Sequence, residues 1–74
     1  MKNGKAGKEP AEYVIPLGGT GWVVKTSSAK KFTVISDSKR EAVKIARSLA
    51  KRRGRKLVIF GKDGSVQQEV SYAL

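Results

Sequence analysis

The strongest pattern in the chain is helical. From Ala42, apolar residues recur at Ile45, Ala46 and Leu49, the i, i+3, i+4, i+7 spacing of one helix face. Ser38-Lys39-Arg40-Glu41 opens this segment as a capping box, with Ser38 as N-cap and Glu41 at the third helical position. Asp37 is an adjacent alternative cap. Gly54 follows Arg53 and suits the left-handed position that ends helices. These signals predict a helix running to about Arg53, and its two stripe alanines allow close approach to a sheet.

Around the helix the pattern shortens to strand-like runs. Residues 12–17 (Glu-Tyr-Val-Ile-Pro-Leu) read as a strand, and Pro16, which lacks an N–H, argues for an edge strand or a strand end. Gly18-Gly19-Thr20-Gly21 makes a turn into Trp22-Val23-Val24-Lys25-Thr26, a run of strong β-formers. Ser27-Ser28-Ala29 turns again, and Phe32-Thr33-Val34-Ile35 is a short third strand. Short connections make an antiparallel meander the simplest pairing of the three. Beyond the helix lie Leu57-Val58-Ile59-Phe60, a Lys62-Asp63-Gly64-Ser65 turn and a last strand from Val66 to Tyr72. Asp-Gly suggests a type I′ hairpin. Alternation in the last strand puts Val66, Val70 and Tyr72 on one face and Gln67, Glu69 and Ser71 on the other.

The predicted fold is a two-layer α+β domain of order β-β-β-α-β-β, mainly antiparallel, with the helix across one face. An alternative leaves 32–35 as a loop, with two hairpins flanking the helix. Segment 57–60 is apolar on both faces, and one helix covers only one of them. The remaining pair, either Leu57 and Ile59 or Val58 and Phe60, calls for a small second core, self-association or a partner.

Length and composition narrow the function. At 74 residues the chain forms one domain over 11–74. Residues 1–10, Gly- and Lys-rich up to Pro10, read as a disordered basic tail. A domain this small buries only about 60% of its unfolded surface, so few apolar side chains are spared for a deep substrate pocket. With no Cys and no His, disulfides and thiolate metal sites are excluded, and the commonest general base and metal ligand are missing. The lack of cysteine fits a reducing cytosol. No apolar run approaches the roughly 18 residues of a membrane span, and no hydrophobic segment follows the basic start to make a signal peptide.

Charge changes the picture most. The chain carries 16 Lys and Arg against 6 Asp and Glu, a net +10. Residues 38–56 hold nine of the cations against Glu41 alone, a net +8. At about 100° per residue, Arg40, Lys44, Arg47 and Lys51 fall in one narrow arc opposite the apolar stripe. Arg52, Arg53, Arg55 and Lys56 continue the run past the helix end. Such a ridge matches polyanion phosphates. The plainer account is a solvated face whose cations complement the helix dipole, but such faces mix signs to form i, i+4 pairs. The only acid here, Glu41, is explained by the cap.

Other chemistry is thin. Trp22, Phe32, Phe60, Tyr13 and Tyr72 are candidates for base stacking, but a small core has first claim on them. Trp22, after a Gly-rich turn, is the best stacking candidate. The glycine run at 18–21 lacks the Lys-Ser/Thr and the helix of a phosphate loop. Asp63 lacks the further acids of a calcium loop. No nucleophile has a visible base, so the chain reads as a non-enzyme without cofactor, metal or small-molecule substrate.

The distributed run Val14-x-Pro16, Gly21-Trp22-x-Val24-Lys25, Ala29, Ser38-Lys39-x-Glu41-Ala42, Ala46, Leu49-Ala50, Leu57-Val58-Ile59, Gly61, Asp63-Gly64 and Ser71-Tyr72 resembles the bacterial domain-of-unknown-function family 2188. That resemblance covers about residues 12–72. It implies a small bacterial or phage protein and supplies no activity. The density of Arg in 51–56 exceeds the family pattern, so the charge argument belongs to this chain. The expected role is nucleic-acid binding with little sequence specificity, through Arg40, Lys44, Arg47, Lys51, Arg52, Arg53, Arg55 and Lys56. The alternative is a protein-interaction module on the open face of segment 57–60, as a homodimer or with an acidic protein partner. An anionic membrane is a poor match, because the ridge has no large apolar neighbours on its own side.

Overall fold

A computed structural model of the chain describes residues 10–19, 21–27 and 34–73. Residues 1–9 of the tail expected at 1–10 and the expected strand residues Phe32 and Thr33 lie outside them. Six elements follow in the predicted order: β1 (Ala11–Leu17), β2 (Gly21–Thr26), β3 (Val34–Ser36), α1 (Lys39–Arg53), β4 (Lys56–Phe60) and β5 (Val66–Ser71). They form one five-stranded sheet of order β3-β2-β1-β4-β5.

The antiparallel meander β1-β2-β3 is present, as is the β4-β5 hairpin. β3 pairs with β2 through Val24↔Val34, Val23↔Ile35 and Trp22↔Ser36, which removes the loop alternative for this segment. The sheet is nonetheless mixed, because β4 joins the meander by pairing with β1 in parallel. β1 is therefore central, not an edge. Pro16 is tolerated because the ladder with β4 stops at Val14↔Ile59, leaving Pro16 at the strand's end, opposite Trp22 of β2 only.

Alternation sorts the side chains. Val14, Trp22, Val24, Leu57 and Ile59 pack with Ala42, Ala46, Leu49 and Ala50 of α1 in one buried cluster, flanked by Val43, Ile45, Val70 and Tyr72. The predicted helix stripe is the one buried. The two faces of β4 are now assigned: Leu57 and Ile59 face the helix, Val58 and Phe60 the far side. There Tyr13 meets Phe60 with ring centroids 6.2 Å apart. Ile35 and Val66 remain 65% and 55% exposed on that side.

Three local details depart from expectation. The capping box is half made: Ser38 Oγ accepts from the Glu41 N–H at 3.2 Å. The Ser38 N–H, however, donates to Ser36 Oγ rather than to the Glu41 side chain. At the other end Gly54 is left-handed (φ 65°). Its N–H donates to the Lys51 carbonyl and the Arg55 N–H to that of Ala50, the paired bonds of a Schellman ending. The β4-β5 turn is not type I′, since among the described residues only glycines have positive φ. The Gly64 N–H donates to the Gly61 carbonyl and Gly64 takes φ 87°, a three-residue loop with Gly in the left-handed position. Finally, a bulge interrupts β5: Ile59 pairs with Gln68 but Phe60 with Val66. Val66 therefore lies with Phe60 on the far face, not with Val70 as simple alternation predicts.

Candidate nucleic-acid interface

α1 presents its cations where the spacing places them. Arg40, Lys44, Lys51 and Arg52 are exposed, and Arg47 is half-buried. Among the described residues none of these five forms an ion pair. Lys51 places its ammonium 5.7 Å from the centre of the Tyr72 ring. Along one flank of α1, Lys39, Arg40, Val43, Lys44 and Arg47 line an open groove of about 620 Å³. Most of the surface lining it is apolar, from Val43 and the aliphatic stems of the four cationic side chains. Within it, Arg47 Nε is shielded from solvent and has no hydrogen-bond acceptor among the described residues.

Lys39 closes the N-terminal end of the groove. Its ammonium lies 4.9 Å from the Trp22 ring centre and donates to Gln67 Oε1 on β5. Trp22, the stacking candidate, is only 7% exposed and belongs to the core. Charge alone gave no reason to single out Lys39 within the basic segment. The bulge at Gln67, which brings the two together, has no sequence signature.

The cations from the last helical residue onward behave differently. Arg53 and Arg55 each place Nη1 3.4 Å from Glu12 Oε2. Glu12 is 0% exposed on the helix face of β1, and Thr26 Oγ1, directly across on β2, donates to its other oxygen at 2.7 Å. A buried carboxylate must be charge-paired and hydrogen-bonded to be tolerated. The two arginines and the threonine do this for Glu12, which the sequence places in the first strand without a role. Lys56 Nζ lies 2.9 Å from Glu69 Oε2 on neighbouring β5. The eight predicted contacts thus divide: Arg40, Lys44, Arg47, Lys51 and Arg52 without acidic partners among the described residues, and Arg53, Arg55 and Lys56 engaged with carboxylates.

At the β4-β5 turn, Asp63 Oδ1 accepts from the Ser65 N–H at 3.1 Å and from Ser65 Oγ at 2.8 Å. These bonds hold its carboxyl below the ordinary carboxylate value, which suits its turn role. Among the described residues no cluster of three or more metal-ligating side chains occurs. No helix among them is long and apolar enough to cross a membrane.

Comparison with known proteins places this arrangement. Residues 12–72 match the model of a family described as an uncharacterized protein conserved in bacteria, DUF2188. The chain belongs to this family. It is 38% identical over 60 residues to the uncharacterized protein YdaT of Bacillus subtilis (strain 168), covering 81% of this chain. The match spans 39% of YdaT, so this chain corresponds to about two fifths of that relative's length. No solved structure matches. The DUF2188 match takes in the helix and every strand except Ala11 of β1, and so includes both the cationic face and the buried Glu12.

Proposed function

We propose that this domain binds nucleic acid through the outer face of α1, without catalysis and with little sequence preference. One observation carries the reading: Arg40, Lys44, Arg47 and Lys51 share a helix face, and none has an acidic partner among the described residues. Surface cations are normally balanced by neighbours of opposite sign. A one-sign face attracts polyanions and releases their counterions on contact. Phosphate contacts of this kind carry no base information, and Trp22 is committed to the core, so stacking adds little.

Duplex DNA, single-stranded DNA and RNA binding measured over a salt series test this. Four phosphate contacts give a log affinity against log salt slope of about −3 to −4. Lys44→Glu with Lys51→Glu, both exposed and outside the core, should weaken binding about 100-fold at 50 mM salt while leaving the melting temperature nearly unchanged. A folded double variant that binds as tightly as the parent would remove the ridge as the site.

A second reading has its own observation. The far face of the sheet collects Tyr13, Ile15, Ile35, Phe60 and Val66, with Ile35 and Val66 largely exposed. That face suits a protein partner or a second copy of the chain, and it lies opposite the cations. Light scattering separates the two: a micromolar dimer without polyanion affinity favours the sheet face.

A further inference from the structure

Arginines on this domain occur in two packed environments. Arg53 and Arg55 reach a carboxylate that occupies their guanidinium groups. Arg47 is half-buried, and its shielded Nε meets no acceptor among the described residues. A donor taken out of water without a partner costs on the order of 1–3 kcal/mol, and in native structures such a group usually has an acceptor supplied by water or an ion. Arg47 lines the 620 Å³ groove together with Lys39, Arg40 and Lys44. No acid among the described residues lines it with them.

We propose that this groove is a seat for one phosphate group, with Arg47 as its fork-shaped anchor and Lys39, Arg40 and Lys44 as point charges around it. The proposal rests on the nucleic-acid reading above and deepens it, by assigning one phosphate of the bound strand to a defined place. Four cations around one opening suit a phosphate, which offers more oxygens and more charge than a carboxylate. Guanidinium matches two of those oxygens at once, which an ammonium does not. The seat requires the Arg47 guanidinium to turn from its solvent-shielded position so that Nε–H and an Nη–H face the groove together. The half-buried stem limits the freedom lost on binding. The phosphate comes from within a strand or from a strand end, and the two sources are separable.

The test has two arms. In the first, inorganic phosphate is titrated into the 15N-labelled chain and the arginine Nε–Hε signals are followed, with chloride at equal ionic strength as control. The Arg47 signal should shift and saturate with phosphate but not with chloride; no phosphate-specific shift overturns the proposal. In the second, Arg47→Lys, which keeps the charge and loses the fork, should weaken oligonucleotide binding about tenfold. Lys62→Gln, exposed at the β4-β5 turn and outside both the groove and the helix face, should change it less than twofold. Wild-type binding with Arg47→Lys equal to it overturns the seat and leaves the ridge standing. A phosphate-shifted Arg47 signal in a chain that binds no oligonucleotide supports the seat and overturns the nucleic-acid reading. Within a positive result, oligonucleotides with and without a 5′-phosphate tell strand ends from internal phosphates.

Discussion

The first three turns of α1 and the stretch across its C-terminal end carry the same residue types and use them in opposite ways. Arg40, Lys44 and Arg47 project from the outer helix face and meet no carboxylate among the described residues. Arg53 and Arg55 lie only a few positions on and converge on one buried acid, Glu12. What separates them is helical phase. Arg53 falls four residues after Leu49 and seven after Ala46, so it extends the buried stripe and points at the sheet. Gly54 then reverses the chain and brings Arg55 to the same carboxylate. A basic run in sequence is thus two things in space, an outward surface and an internal counter-charge, and only the first is available to a partner.

The sharpest way to break this contrast is to remove the internal counter-charge. Arg53→Met with Arg55→Met leaves the Glu12 carboxylate buried with only Thr26. Loss of a buried ion's partners is costly. The two arginine side chains are 43% and 25% exposed, so the loss should be about 2–4 kcal/mol, below that of a fully buried pair. Urea unfolding measures it, and an unchanged midpoint would show that Glu12 needs neither arginine. The same variant should lose less nucleic-acid affinity than reversal of Lys44 and Lys51, since its cations are already engaged.

A smaller effect addresses the groove end of the helix. Ser38→Ala removes the acceptor for the Glu41 N–H and should cost about 1 kcal/mol, lowering the melting temperature by about 4–8 °C. Hydrogen exchange should rise in the first turn, beside Lys39 and Arg40, and stay unchanged around Gly54. The smallest effect lies away from both regions. Asp63 has its carboxyl lowered from an ordinary value of 3.8 by the Ser65 N–H and hydroxyl. A lowered folded value means its contribution is present above the unfolded value and fades as pH falls through the folded one. Thermal melts of the parent and Asp63→Ala should differ slightly near neutral pH and converge below about pH 4.

Much of this was legible in the sequence. The helix, its cap, its Gly54 ending and its apolar stripe follow from 3.6-residue spacing. The hairpin strands follow from β-forming runs between glycines. The parallel pairing of β1 with β4 was not, because two short apolar segments more than forty residues apart carry no local signal of adjacency. Glu12 had a signal that charge counting passed over. It stands two residues before Val14, on the inward face of a buried strand, and the helix stripe at Ala42, Ala46 and Leu49 runs on to Arg53. An acid and a base both in phase with the core point to each other. The bulge that turns Val66 outward, and with it the meeting of Lys39 with Gln67, depends on a one-residue register shift that composition does not encode.

The central position of β1 also bears on how the domain is made. Its ladder with β2 needs only the next few residues of the chain, but its other edge is filled by β4, whose residues emerge from the ribosome more than forty positions later. Until then, one flank of the meander presents unpaired N–H and carbonyl groups, the kind of edge that recruits other strands. Non-local pairings of this sort slow folding and lengthen the time for which such an edge is exposed. Burying Glu12 also waits on them, because its arginines stand just before β4. For this chain the vulnerable interval in synthesis is the making of the helix itself, when half a sheet and an unneutralised acid await the strand that completes both.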